Sequence, residues 1–210
     1  MESEHEFLAR GLDQLGIGLS SSVHDQLLAF RDLLAHWNKV YNLTAVREPH
    51  EMIVRHLLDN LAVLPYLEGE CCLDVGTGAG LPGIPLALAD RDRTFTLLDS
   101  QAKRTRFLQQ AVVELELSNV EVVQSRVESY RPGRLFSTVV SRAFSKLSEF
   151  VRLAGPHCGH TGVLLAMKGA LDKEELLEID QPWSIAHIHP LVIPALNLER
   201  NVIAVKRSTA

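Results

Sequence analysis

Asp74, the glycines that follow it at Gly76, Gly78, Gly80 and Gly83, and a second acid at Asp99 are the residues of this chain best placed to do chemistry. Glycine lets a backbone turn sharply and lets a ligand approach where a Cβ would collide. The apolar lead-in to Val75 and the helix-forming run after Gly83 put the turn between a strand and a helix. Asp99 closes the next apolar run, Leu97-Leu98, and lies 23 residues beyond Gly76. That is about the spacing at which a second strand delivers a carboxylate to ribose hydroxyls. Such a turn suits a nucleoside-containing cofactor.

A dinucleotide site requires G-x-G-x-x-G, with a pyrophosphate on the helix N-terminus. Here the glycines fall G-x-G-x-G, and Leu81 stands where the third glycine of that pattern belongs. No Gly-Lys-Ser/Thr follows, so the segment is not a P-loop. Asp74 would repel a pyrophosphate but suits the ammonium group of an amino-acid moiety. The order D-x-G-x-G-x-G resembles the first motif of the S-adenosylmethionine (SAM) methyltransferases, which implies SAM as cofactor with Asp74, Gly76, Gly78, Gly80 and Asp99 around it. A glycine turn without a ligand and an NAD site are the competing readings of this segment alone.

The 210 residues suffice for one large domain or one domain with a helical extension, and 46% hydrophobic content is ample for a core. No apolar run reaches the roughly 18 residues a membrane span needs. The start, Met1-Glu2-Ser3-Glu4-His5-Glu6, is acidic where a signal peptide would be basic, so a cytoplasmic protein is expected. Cys71, Cys72 and Cys158 form no C-x-x-C pair, and the nine histidines form no H-E-x-x-H set, so no metal is expected. A net charge of −5 argues against simple coating of nucleic acid, yet residues 101–152 carry nine Lys/Arg against five Glu. That segment includes Lys103 and Arg126, and its basic face can engage phosphate or stand as a solvated surface.

The elements that must position these residues follow from periodicity. Residues 1–65 read as a helical cap: Ser20-Ser21-Ser22 precede Val23, Leu27, Leu28, Phe30, Leu33, Leu34 and Trp37 at helical spacing. A further helix is predicted after Glu48-Pro49, burying Ile53, Val54, Leu57, Leu58, Leu61 and Leu64 and ending at Pro65. Residues 66–210 alternate strand and helix. Strands are predicted at Cys71–Val75, Thr94–Leu98, Val120–Val123, Phe136–Ser141 and Gly162–Met167, with helices at Pro82–Ala89, Gln101–Leu117 and Lys146–Ala154. A charged helix near Asp172–Ile179 leads to Ile185–Ile193 and Asn201–Lys206, two β segments too close for a crossover and therefore antiparallel. The fold class predicted is α/β: a mostly parallel seven-stranded sheet with an antiparallel C-terminal hairpin, the SAM-dependent methyltransferase layout, plus the N-terminal helical cap.

In such a sheet, ligands bind beyond the carboxyl ends of the strands. Arg126-Val127-Glu128, after the third strand, can pass beneath an adenine. Arg142, directly after the fourth, would reach a methyl-transfer site, and Lys168, after the fifth, could face an acceptor. The acceptor is constrained by omissions. No Asn/Asp-Pro-Pro-aromatic follows the fourth strand, as amine methylation would need, and no cysteine sits on a cleft loop, as cytosine-C5 attack would need. Guanine N7, which has an in-plane lone pair and needs no base, fits the gap.

Asn42-Leu43-Thr44, His56 with Leu58-Asp59-Asn60, the run Leu73 to Gly78 through Gly83-Ile84-Pro85, Leu97 to Ser100 with Lys103-Arg104, Ser125 to Glu128, Ser141-Arg142-Ala143-Phe144 and Lys168-Gly169 together resemble the RsmG (glucose-inhibited division protein B) family. The resemblance runs from about residue 30 onward. It implies a SAM-dependent methyltransferase of guanine N7 in the decoding-region loop of bacterial 16S ribosomal RNA. It also implies Gly76 and Leu81 on the cofactor, Val127 and Glu128 flanking its adenine, Arg142 lining the site, and a monomer acting on the small ribosomal subunit without membrane or metal. Lys103, Arg126 and Lys168 are the expected RNA contacts. A fold that holds SAM or a nucleotide without catalysis, and a small-molecule methyltransferase, are the alternative classes. Cys71-Cys72 and Asn60 depart from the family's usual aliphatic residue and serine.

Overall fold

The computed structural model describes residues 2–144 and 146–208. Helix α1 (Glu4–Gln14) opens on a reciprocal cap, in which Ser3 Oγ accepts from Glu6 N and the Glu6 carboxylate accepts from Ser3 N. Helix α2 (Ser21–Tyr41) is capped by Ser20 and ends at Asn42, whose φ of 48° is left-handed. Leu27, Phe30 and Leu34 form its buried stripe. Arg31, almost fully buried, ties the two helices by a paired contact to Glu4 at 2.8 and 2.7 Å.

The next stretch corrects the sequence reading. Instead of one regular helix after Glu48, α3 (Pro49–Met52) passes into a π-helical segment at Ile53–Leu58 and then α4 (Asp59–Leu61). The wider turn buries Ile53, Val54, His56, Leu57 and Leu58 together, more of the circumference than a regular stripe would.

The sheet elements then alternate: β1 (Cys71–Val75), α5 (Gly83–Ala89), β2 (Thr94–Asp99), α6 (Ala102–Glu114), β3 (Val120–Gln124), β4 (Phe136–Ser141), α7 (Leu147–Ala154), β5 (Cys158–Lys168), α8 (Lys173–Leu177), β6 (Trp183–Leu191) and β7 (Arg200–Arg207). Among the described residues the sheet has seven strands, in the order β3-β2-β1-β4-β5-β7-β6. Strands β3 to β5 in that order are parallel, and β7 lies antiparallel between β5 and β6. This is the expected layout, with two shifts at its far edge. β5 starts at Cys158 rather than Gly162, because a register irregularity near Phe136 lets the early residues pair with β4. β6 starts at Trp183 rather than Ile185, because the buried indole pairs opposite Arg207, whose guanidinium lies 4.6 Å over its ring.

Apolar residues fill both faces of the sheet. One core joins Leu27, Phe30 and Leu34 of α2 to Leu86, Phe107 and Leu108 of α5 and α6, with Trp37 5.7 Å from Phe107. The other packs α7 (Leu147, Phe150, Val151) against Leu73, Val139 and Leu164. The N-terminal helices thus share a core with the sheet. Strand order reverses between β1 and β4, which places the crevice at their carboxyl ends.

Candidate functional site

The turn after β1 is held from beneath by β2. Gly76 N and Thr77 N both donate to Leu98 O, at 2.8 and 3.1 Å. Gly76, Gly78 and Gly80 all have positive φ (70°, 61° and 80°). At Gly76 a Cβ would stand 2.8 Å from Ala143 Cβ, so a side chain there would close the crevice between β1 and β4. At Gly78 no atom beyond its chain neighbours lies nearer than 3.9 Å to the position a Cβ would take.

Asp99, the last residue of β2 and nearly buried, accepts three hydrogen bonds. Gly78 N donates to Oδ2 at 3.0 Å, Gln101 N to Oδ1 at 2.9 Å, and Arg104 Nη1 to Oδ2 at 3.2 Å. A carboxylate has about four lone-pair positions, so capacity for one more donor remains. Asp99 therefore both shapes the glycine turn and faces the crevice.

Asp74 supports the same turn from the opposite side. Its Oδ2 accepts from Thr77 Oγ1 at 2.6 Å and from Gly83 N at 2.9 Å, while its Oδ1 is buried without a partner among the described residues. Burial pushes its pKa up to about 7, against the bonds from Thr77 and Gly83 that favour the charged form.

A cavity of about 270 Å³ lies at these strand ends, with an apolar lining from Val75, Leu98, Val127, Phe144 and Leu153. Asp99, Arg104, Arg126, Glu128 and Glu149 supply its polar groups. Of the residues singled out in sequence, Gly76, Asp99, Arg126, Val127 and Glu128 line this cavity, and Gly78 is bonded to Asp99 beside it. Asp74, Gly80 and Leu81 lie behind the turn and do not line it. Arg142 and Lys168 are elsewhere.

They line a second cavity, of about 220 Å³, with Asp59, Met167, Gly169, Leu191, Arg200 and Asn201. Arg142 Nη1 donates to Asn60 Oδ1 at 2.9 Å, and burial lowers the Arg142 pKa while the charge of Asp59 opposes the shift. Lys168 Nζ meets Glu175 Oε1 at 2.6 Å. Lys103 is exposed on α6 and lines neither cavity. Asp59, Arg200 and Asn201 carried no weight as site residues in the sequence. The antiparallel hairpin was the available signal: β7 begins where β5 ends, with Asn201 opposite Lys168.

His56 is buried in the π segment, its Nε2 2.8 Å from Thr44 Oγ1. Burial pulls its pKa down to about 4, against a backbone hydrogen bond that raises it. Among the described residues, no cluster of His, Cys, Asp and Glu could hold a metal ion, and no helix is long and apolar enough to cross a membrane.

The family model GidB, rRNA small subunit methyltransferase G, matches residues 23–203. A ribosomal RNA small subunit methyltransferase G from Pseudomonas aeruginosa is 47% identical over 202 residues, covering 96% of this chain and 94% of the relative. The protein of the same name from Nitrosococcus oceani is 49% identical over 199 residues, covering 95% of this chain and 93% of its own. Among solved structures, a SAM dependent methyltransferase from Aquifex aeolicus superposes with a TM-score of 0.58 at 20% identity, over 82% of this chain and 97% of that one. M. jannaschii TYW2 in complex with AdoMet gives 0.55 at 14% identity, over 71% of this chain and 77% of that one. These structural likenesses establish the methyltransferase fold.

Proposed function

The chain belongs to the rRNA small subunit methyltransferase G family, and on that premise we propose that it transfers the methyl group of SAM to N7 of a guanine in the decoding-region loop of bacterial 16S ribosomal RNA. In this reading it is a cytoplasmic enzyme that acts as a monomer on the small ribosomal subunit. The observation that carries it is the bond from Gly78 N to Asp99 beside a 270 Å³ cavity, which joins the glycine turn and the ribose acid in one cradle.

The residues fit the cofactor. Gly76 leaves open a crevice that a Cβ would fill, Asp99 has a lone pair to offer a ribose hydroxyl, and Val127 and Glu128 line the same cavity, available to flank an adenine. Asp74 does not line the cavity, but its buried oxygen has no donor among the described residues, and an ammonium group that reaches it would supply one. Gly80 and Leu81 carry the turn into α5, with Ile84 N donating to Gly80 O. Bound SAM supplies an activated methyl group on a sulfonium whose departing sulfur becomes neutral.

The protein's own part is placement. Guanine N7 presents its lone pair without deprotonation, so no side chain has a proton to remove. Alignment of acceptor, methyl and sulfur then provides the acceleration, up to about 7–11 kcal/mol in ideal intramolecular cases. Arg142, at the second cavity and not the first, would contribute by holding a neighbouring phosphate of the substrate. Lys168, Arg126 and Lys103 supply further positive charge for RNA, with Arg126 at the first cavity and Lys168 at the second. The uneven charge supports a folded particle as substrate, because a chain at −5 attracts arbitrary RNA weakly.

The test uses small subunits from cells lacking this gene, the purified protein and labelled SAM. One methyl group per subunit is expected, recovered as 7-methylguanine. At saturating SAM, where titration of Asp74 no longer limits binding, the single-turnover rate should stay flat between about pH 6 and 8.5, because His56 is held near 4, well below its ordinary range. Label on another base, or a titration near pH 6.5 that vanishes in His56→Gln, overturns the assignment.

Asp74 makes a second expectation. With a pKa raised to about 7, it is largely protonated below neutrality and must lose that proton to pair with an ammonium group. The affinity for S-adenosylhomocysteine should therefore rise several-fold from about pH 5.5 to 7, where the ligand's own amine stays charged. Calorimetric titration of wild type and Asp74→Asn checks it: a flat wild-type profile, or the same slope in the variant, removes Asp74 from this role.

A further inference from the structure

The π-helical segment is bonded to the second cavity by two adjacent buried side chains. Asn60, fully buried, donates from Nδ2 to Arg55 O at 3.2 Å and to His56 O at 3.0 Å, both carbonyls of the π turn. Its Oδ1 accepts from Arg142 Nη1 at 2.9 Å, and the same Nη1 lies 3.4 Å from Arg55 O. Asp59, 1% exposed, accepts from Arg200 Nε at 3.1 and 3.2 Å, and its Oδ2 is 3.9 Å from Arg142 Nη2. The two arginines come from the end of β4 and the start of β7, and this pair of side chains is where they meet.

We propose that Asn60 and Asp59 are positioning residues for methyl transfer: the π turn orients them so that they fix the Arg142 and Arg200 guanidiniums at the cavity beyond β4, β5 and β7. This rests on the reading that Arg142 lines the transfer site. The chemistry of each position is specific. Position 60 must donate to two carbonyls and accept from a guanidinium, which an amide does and a carboxylate cannot. Position 59 must neutralise part of the charge of two cations without filling the cavity, which a short carboxylate does. Long arginine side chains lose rotamer freedom when they bind, and holding them beforehand removes that cost from the encounter with substrate. Misplacement by about 1 Å at a reacting centre can cost a hundredfold in rate.

The experiment is a double-mutant cycle on single-turnover methylation of small subunits at saturating SAM, with S-adenosylhomocysteine affinity and thermal midpoint measured in parallel. Asn60→Ala should keep that affinity within about threefold and lower the rate ten- to a hundredfold. In an Arg142→Ala background the same change should cost less than twofold, because the residue acts through Arg142. Asp59→Asn keeps the shape and removes the charge, and should lower the rate with cofactor affinity intact. A rate loss that is the same with and without Arg142 overturns the proposal, as does collapse of cofactor affinity and thermal midpoint in both variants. If wild-type protein transfers no methyl group to N7, the functional reading falls first and this inference with it.

Discussion

Asp99→Ala should weaken S-adenosylhomocysteine binding by a hundredfold or more in calorimetric titration. The sequence predicts a carboxylate for ribose hydroxyls, and loss of one charge-assisted bond contributes roughly 1.5–3 kcal/mol. The structure adds a second loss, because Asp99 also accepts from Gly78 N and Gln101 N. Removing it frees two backbone donors at the edge of the cradle and releases the turn they fix. The ribose bond alone is worth about ten- to a hundredfold, and ordering a turn that Asp99 no longer fixes adds to that cost, hence the hundredfold or more. The contact from Arg104 adds little, since that side chain is 35% exposed. Asp99→Asn should fall between, because the amide turns one set of lone pairs into donors facing an N–H. Unchanged affinity in Asp99→Ala would remove the residue from the site.

Gly83→Ala should lower the thermal midpoint by about 5–10 °C, whereas Gly78→Val should lose the cofactor at a smaller cost in stability. At Gly83 an added Cβ would press into Leu97, 2.8 Å from Asp74 Oδ2 and 3.3 Å from Asp74 Cβ. All of these groups are buried, so the position is overpacked by about 2–3 kcal/mol. For a chain of this size each kcal/mol moves the midpoint by about 2–4 °C. At Gly78 the nearest atom is Gly76 O at 3.9 Å, so a side chain there pays only for its positive φ, about 1–2 kcal/mol. That open space lies at the cradle, where a side chain excludes ligand. Melting curves with and without S-adenosylhomocysteine separate the two. A Gly78→Val protein that still gains midpoint with ligand refutes the cradle, and a Gly83→Ala protein of wild-type stability refutes the packing argument.

The glycine turn, Asp99 at the end of β2 and Arg142 beyond β4 could be read from sequence because each is a local event: a short run of residue types at the end of an apolar stretch. The antiparallel end of the sheet was legible for a similar reason, since a spacing too short for a crossover forces the last two strands to be antiparallel. The π segment was not. Ile53, Val54, Leu57, Leu58 and Leu61 fit a regular helix as well as the structure found, and only the tertiary partners of Asp59 and Asn60 distinguish them. Arg200 was missed because its neighbours in space are far away in sequence, brought together by pairing of β7 with β5. Asp74 was read as a ligand group alone, whereas one of its oxygens is occupied in holding Thr77 and Gly83.

The place of β7 sets the order in which the molecule can be assembled. β6 is synthesised before β7 but occupies the sheet's edge and, among the described residues, pairs with no strand but β7. Until β7 emerges, β5 keeps an open edge and β6 has no partner. The strands that build the cofactor cradle, β1, β2 and β4, are complete long before that. A growing chain therefore acquires its cofactor half first, while the half holding Arg200 waits for a strand inserted from behind, in keeping with the late formation of non-local pairings. A chain arrested before Arg200 would carry the glycine turn and Asp99 with the second cavity unfinished.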